Sequence, residues 1–459
     1  MSTHTFELDS SALLYLASRT RSYTNAFRIS VTLTEPVLPQ LLQLAVGRVA
    51  PRFPMIAAGI RKGVRQYEVV PAQVPPRIQP DRERLAGMTE EMVRNCAMRV
   101  LYRGRKLSVE IFHTLTDGYG RLVFLQSLAA EYISLSHGMP VRGVRFCHTV
   151  RELSADDYRI YAGKNPISFR RRQVFQFPNR AQDGSDIHTV TGICPLSSMI
   201  ELSHRMNVSL TSLLTAVMAS CSAEIQARYC YRRQWRPIQI LVPANLRKRF
   251  PSDTLRNFTL YALPCVEKAQ LWLPVAALAA VVDRQIKEQL TEEHLAGMMS
   301  TQVKLQTMPL AAHTPLPLKM GALRLGNLFF GDKNSCLTLS NLGEVTFPEE
   351  LSPFVERVEF LLTPRKNTPY NCGVSSYSGK LYINFTHRGI FPELEKLFFQ
   401  RLAQMGFPIS IEVDGLPIHK KSWEELSHFS ALPKENDESL QDFNETQTKQ
   451  QQFANNGAV

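Results

Sequence analysis

Between Leu107 and Gly138 the apolar residues change period. Leu107, Val109 and Ile111 alternate with Ser108, Glu110 and Phe112, the signature of a strand with at least one buried face. Leu125, Leu128, Ala129, Tyr132 and Ile133 then recur at helical spacing until Gly138, a residue suited to closing a helix. The turn between them reads His113-Thr114-Leu115-Thr116-Asp117-Gly118-Tyr119-Gly120. A strand, a tight turn and a helix in this order commit the chain to a fold that mixes sheet and helix. They also set His113 at a junction where rigid elements on both sides can aim it at a cleft.

An imidazole with an ordinary pKa of ~6.5 is largely neutral at physiological pH, so one ring nitrogen can take a proton from a hydroxyl or amine attacking a carbonyl. Asp117 is expected to act as an anchor: its carboxylate can cap the helix that opens at Gly118 and pair with an arginine. Gly118 and Gly120 are expected to let the backbone bend tightly and a substrate approach.

At 459 residues the chain is too long for one ordinary core, and two domains are expected. With 44% hydrophobic and 20% charged residues, both can be globular. The longest apolar runs, near Leu213 to Met218 and Val275 to Val282, fall short of the ~18 residues of a membrane span. The first residues lack the basic and apolar regions of a signal peptide, so a soluble cytoplasmic protein is expected. Cys96, Cys147, Cys194, Cys221, Cys230, Cys265, Cys336 and Cys372 form no CxxC pair and no zinc-ligand spacing, which favours free thiols and no bound metal. The net charge is +12, and the visible basic clusters, Arg170-Arg171-Arg172, Arg232-Arg233 with Arg236, and Arg247-Lys248-Arg249, suit phosphates or an acidic partner. No nucleic-acid-binding signature accompanies them, so nucleic acid is not expected as a partner.

Along the chain, a helix at Ser10 to Leu16 and a strand at Phe27 to Leu33 open the molecule. A helix from Leu38 to Val49 and strands at Phe53 to Ile56 and Tyr67 to Val70 follow. Arg99 to Tyr102 and Lys106 to Phe112 make a hairpin that feeds the turn at His113. The pattern weakens between Gly138 and Asp186, which reads as a crossover with a boundary near residue 180. Beyond it come a strand at Thr189 to Cys194, a helix at Ser197 to Met206, and an apolar helix capped by Thr211 and running to Tyr229. A strand from Pro237 to Pro243 enters Asn245-Leu246-Arg247, where an amide and a guanidinium can face a cleft, and Arg256-Asn257-Phe258 follows. A helix from Val275 to Leu290 supports the core. Leu337 to Gly343 runs as a strand into a turn, where Ser340 or Asn341 can line a channel or satisfy the turn's own backbone. A hairpin around Ser378-Gly379, a helix from Pro392 to Met405 and a strand at Ile409 to Val413 complete the second half. From Ala431 the composition predicts a disordered tail.

His113 to Gly118 fits the HxxxDG signature and resembles the chloramphenicol acetyltransferase-like superfamily. That group includes alcohol acyltransferases, plant hydroxycinnamoyl-type acyltransferases, mycobacterial polyketide-associated acyltransferases and peptide-synthetase condensation domains. The Asn245-Leu246-Arg247 turn, Arg256-Asn257 and the Ser340-Asn341-Leu342-Gly343 segment resemble second-lobe regions of its alcohol acetyltransferase-like members. The resemblance implies an α+β fold of two lobes, each a mixed sheet flanked by helices, with a channel between them. The lobes would span 1–180 and 181–430, followed by a tail at 431–459. It implies acyl transfer from a thioester, acyl-coenzyme A or an acidic acyl carrier protein, to a small-molecule alcohol or amine. His113 would be the base, Asp117 and Gly118 structural, with Arg19, Arg21, Arg28 or Arg247 as the partner of Asp117, and Tyr119, Asn245, Arg247, Ser340 and Asn341 substrate-facing. No tightly bound cofactor is implied. Condensation domains write HHxxxDG, and here Phe112 replaces the first histidine while the proton-carrying second one is kept. The alternatives are a stand-alone condensation-type enzyme and a non-catalytic binding protein on the same fold.

Overall fold

The computed structural model describes residues 5–417 except 21–24, 64–65, 82–84, 86, 141–148, 168–171, 179–186, 308–313, 327–333, 366–367 and 389–391. Arg21, Arg170, Arg171, Cys147, the expected boundary near residue 180 and the expected tail lie outside the described residues.

Three sheets organise these residues. A small one joins β1 (Phe6–Glu7), β3 (Ala58–Lys62) and β4 (Tyr67–Pro71). The first lobe is built on β2 (Ala26–Leu33), β5 (Gln79–Pro80), β6 (Met98–Arg103) and β7 (Lys106–Phe112). The hairpin read from the sequence is present, with Gly104 at φ 52° in its turn, a conformation glycine adopts freely. The second lobe is built on β8 (Ile187–Pro195), β9 (Ile238–Asn245), β10 (Thr259–Ala262), β11 (Cys265–Val266) and β12 (Leu337–Glu344). A further strand, β13 (Val355–Leu361), leaves the second half of the chain and pairs antiparallel with β2, giving the first sheet the order β13-β2-β7-β6-β5. The chain then returns through β14 (Tyr370–Tyr377), β15 (Lys380–Arg388), β16 (Ser410–Val413) and β17 (Leu416–Pro417) to complete the second-lobe sheet, β10-β9-β12-β14-β15-β8-β16-β17 with β11 on β9.

The helices are α1 (Ala12–Ala17), α2 (Pro39–Val49), α3 (Glu90–Asn95), α4 (Gly118–His137), α5 (Val150–Ser154), α6 (Asp157–Tyr161), α7 (Leu196–Arg205), α8 (Leu210–Tyr229), α9 (Val275–Gln289), α10 (Glu292–Thr307), α11 (Leu316–Gly326) and α12 (Glu393–Gln404). Gly138 ends α4 at φ 64°. Val109, Ile111, Phe124, Leu125 and Leu128 are fully buried in the first core. The second core collects around α8, whose Leu213, Leu214, Val217 and Met218 are fully buried. Among the described residues no single helix is long and apolar enough to cross a membrane.

Two local expectations are corrected. Phe53 to Ile56 is a turn rather than a strand: Phe53 N–H donates to Ala50 O and Ile56 N–H to Phe53 O. Proline at position 54 has no N–H for a ladder, and Phe53 and Ile56 reach the core without one. The cap of α8 is Ser209, whose hydroxyl accepts from Ser212 N–H at 3.0 Å. The Thr211 hydroxyl instead accepts from Asn341 Nδ2 at 3.1 Å.

Candidate active site

His113 leaves the end of β7. Phe112 is paired with Ala26, and His113 N–H donates to Asn25 O at 2.9 Å. Asn25 sits at φ 51°, a conformation that asparagine tolerates better than most residues, and its Nδ2 donates to Tyr15 O at 2.8 Å. The Tyr15 ring stacks on the imidazole, with centroids 4.0 Å apart and planes at 16°. Phe27 meets the imidazole edge-on at 4.9 Å. His113 Nδ1 lies 3.0 Å from Asn257 Oδ1, so Nε2 is the ring nitrogen left to the cavity that His113 lines.

Burial, and after it the nearby Arg121 guanidinium, bring the His113 pKa down to about 4, against the opposing pull of its own backbone, Asp117 and Asn257. The ring is therefore uncharged at neutral pH. Arg121 is fully buried and donates to the carbonyls of Phe27 and Ile111. Its guanidinium carbon lies 3.2 Å from the Phe27 ring centroid.

Asp117 joins the two halves of the site. Its Oδ1 accepts from Tyr119 N–H and Gly120 N–H at 3.1 and 3.2 Å, capping α4. Its Oδ2 accepts from Arg247 at 2.7 Å, Phe258 N–H at 2.8 Å and Thr259 Oγ1 at 3.0 Å. Burial alone would raise the carboxyl pKa, but Arg247 and the backbone donors carry it below the ordinary value. Arg247 is thus the arginine that pairs with Asp117. Arg19 is bound to Met88 O and Glu90, and Arg28 to Asp81 and Glu110.

Neither Gly118 nor Gly120 takes a positive φ, so the expected tight bending is not their role. A Cβ on Gly120 would lie 2.2 Å from Leu255 O and from Thr116 Oγ1. Here the backbone of one half presses directly on α4, and only glycine fits. A Cβ on Gly118 would meet only the Leu342 side chain, at 3.1 Å.

A cavity of about 340 Å³ lies between the lobes. His113, Asp117, Gly118 and Tyr119 line it from the first lobe, and Asn245, Ser340 and Asn341 from the second. The remaining sequence candidate, Arg247, is not on its wall. All five guanidinium N–H groups of Arg247 are used, by Asp117, Asn245 Oδ1, Arg256 O and, twice, Thr254 O. It lies over the Tyr119 ring at 4.5 Å, so it shapes the wall from behind. The Asn341 amide is also committed, to Thr211 and to Gly343 N–H, where the strand bulges. The Ser340 hydroxyl makes no hydrogen bond among the described residues. Seven described cysteines are free thiols, and no group of three or more metal-ligating side chains occurs among the described residues.

No protein-family model and no curated protein sequence matches the chain. Solved structures do match it. TRI101 of F. sporotrichioides, in complex with coenzyme A and T-2, aligns with a TM-score of 0.61 at 13% identity over 90% of this chain and 100% of that one. Polyketide synthase associated protein 5 from Mycobacterium tuberculosis gives 0.53 and 13% over 87% and 98%. The starter condensation domain of rhizomide synthetase RzmA gives 0.51 and 11% over 94% and 98%. The chain has the chloramphenicol acetyltransferase-like fold. The two-lobed arrangement expected from the HxxxDG resemblance is therefore present, with the histidine of the signature between the lobes.

Around His113 stand residues that sequence reasoning did not single out. Asp9, Tyr15 and Arg121 carry no motif, and Asn257 was noted only as part of an Arg-Asn pair. Asn257 meets His113 across 144 positions and Asp9 across 248, and no local periodicity reports contacts of that range.

Proposed function

We propose that the protein is an acyltransferase that moves an acyl group from acyl-coenzyme A to a hydroxyl or amine of a small molecule. The observation that carries this reading is a neutral imidazole lining an interlobe cavity, with one nitrogen held by Asn257 and the other open. His113 Nε2 takes the acceptor proton as the acceptor oxygen or nitrogen bonds to the thioester carbonyl carbon. The carbonyl oxygen gains charge in the tetrahedral intermediate, and the Ser340 hydroxyl is a donor suited to it. Collapse breaks the C–S bond, and the imidazolium returns its proton to the departing thiolate. The products are an ester or amide and a free thiol. No acyl-enzyme forms, so the gain comes from holding both substrates in one cavity.

An imidazole with a pKa of about 4 keeps a proton only briefly, and a thiolate with an ordinary pKa near ~8.5 is a ready recipient. Coenzyme A as donor is supported by the bound coenzyme A of the TRI101 structures, and a small acceptor by their T-2 and deoxynivalenol. The net charge of +12 suits the donor's phosphates, and equally an acidic carrier protein as an alternative thioester source. The test is thiol release from a panel of acyl-coenzyme A donors with alcohol and amine acceptors. The wild type is expected to be active and folded His113→Ala to lose at least about 10²-fold in kcat. Full activity in His113→Ala would refute the role of His113, and a wild type inert on every pair would favour the binding-protein reading.

A further inference from the structure

His113 has two nitrogens, and catalysis as a base needs the cavity-facing one to be unprotonated. The side chain that decides this is Asn257, whose orientation is itself fixed. Asn257 Nδ2 lies 3.0 Å from Asp9 Oδ2 and 3.3 Å from Thr114 O. Both are pure acceptors, so the NH₂ group must face them and Oδ1 must face His113. Oδ1 can only accept, so His113 Nδ1 has to carry the hydrogen. Nε2 then keeps its lone pair.

We infer that Asp9 and Asn257 are positioning residues that lock His113 in the Nδ1–H tautomer, making Nε2 the base. The proposal rests on the acyltransferase reading for its kinetic consequence but not for its structural one. Asp9 does more than hold Asn257. Its Oδ1 accepts from Ser11 N–H, Ser11 Oγ and Ala12 N–H at 3.0, 2.7 and 2.9 Å, which caps α1. That helix carries Tyr15, the ring stacked on His113. One carboxylate therefore sets both the edge and the face of the imidazole. Asp9 and Asn257 are each about 1% exposed, so water does not substitute for either contact. Arg256 Nε, 3.8 Å from Asp9 Oδ2, keeps a cation beside the buried carboxylate.

Asp9→Asn tests the chain with almost no change of shape. An amide at position 9 cannot accept on both sides. If its NH₂ faces Asn257, two NH₂ groups oppose each other and Asn257 is driven to flip, which puts a donor on Nδ1 and the proton on Nε2. If its NH₂ faces α1 instead, the cap is lost and Tyr15 is released. Asn257→Leu removes the side-chain acceptor and leaves the ring only the backbone of His113 itself. Asn257→Asp is the conservative rescue: two carboxyls at this distance share a proton, which restores a donor toward Asp9 while an oxygen still accepts from Nδ1.

The structural readout is ¹⁵N NMR of histidine-labelled protein, with the His113 signals identified from their loss in His113→Ala. Wild type and Asn257→Asp are expected to show a protonated Nδ1 and a bare Nε2. Asn257→Leu should shift toward the Nε2–H form that a free histidine side chain prefers in water. A wild-type signal with Nε2 protonated, or a tautomer unmoved in both Asn257→Leu and Asp9→Asn, overturns the proposal. The kinetic readout is a split: kcat in Asn257→Leu falls about 10²–10⁴-fold, the range for misprotonated or missing catalytic histidines, with KM nearly unchanged. Equal losses in kcat and 1/KM with the tautomer intact would mark a merely structural role and also overturn it. The acid limb of the profile is read alongside, since Tyr15 on α1, Arg121 and Asp117 on α4, and Arg256 beside Asp9 all face the site. Asn257→Asp, whose carboxyl pair shares a proton and so adds no net charge, should leave that limb close to its wild-type position. A wild type inert with every substrate pair would refute the acyltransferase reading, while the NMR result would still decide the tautomer.

Discussion

The lowered basicity of His113 makes pH the most informative perturbation. With a pKa of about 4 in place of an ordinary ~6.5, the ring stays neutral through mildly acidic solution. At pH 5.5 an ordinary histidine would be only about one-tenth neutral, whereas this one would be almost wholly so, roughly a tenfold difference in active base. The acid limb of kcat/KM for the free enzyme should therefore fall near pH 4 and not between 6 and 7. The same shift acts on stability. The folded pKa lies below the unfolded one, so His113 destabilises the fold increasingly as pH drops from 6.5 to about 4. The full loss amounts to at most roughly 3–4 kcal/mol, reduced by water in the cavity that His113 lines. The assay is a titration of the His113 ring carbon signals from pH 3.5 to 8, with thiol release measured over the same range by a reagent that works in acid. A midpoint of 6 or above by either method would refute the reasoning.

Arg121→Met, which removes the second contributor to that shift, should raise the His113 midpoint part of the way toward 6.5 and no further, because burial, the first contributor, remains; the same titration reads it. Asp117→Asn should cost roughly 3–5 kcal/mol in urea unfolding, since it strands an Arg247 side chain that is 7% exposed and leaves it without its carboxylate. Gly120→Ala should yield little folded protein because its Cβ would meet backbone and hydroxyl oxygens at 2.2 Å. Gly118→Ala, facing only a movable leucine, should keep its melting temperature within a few degrees and lose activity with bulky acceptors. Solubility and calorimetry separate the last two.

The strand, turn and helix around His113 were legible because each element announces itself within a few residues, by period, cap and closing glycine. Pairing of Asp117 with Arg247 was within reach only as one of four arginines, since charge complementarity names candidates but not distances. The α10 and α11 helices and β13 were not anticipated. Val355 to Leu361 interrupts its apolar positions with Glu356, Arg357 and Glu359, yet the Glu359 carboxylate is buried against Arg357 and Lys106, so an ion-pair network stands where the reading looked for apolar side chains. The lock on His113 was invisible for a related reason. Asp9 and Asn257 are ordinary polar residues in sequence, and their roles exist only once the two lobes close.

The visit of β13 to the first sheet has a consequence for how the protein is made. A ribosome adding roughly 5–20 residues per second finishes Phe112 some 10–50 s before it reaches Leu361. During that interval β2, which lies between β13 and β7 in the finished sheet, has one row of peptide groups unsatisfied and open to neighbouring nascent chains. The amino-terminal half is thus born incomplete, and yield in a heterologous host should depend more on holding that edge apart from its copies than on the stability of the finished molecule.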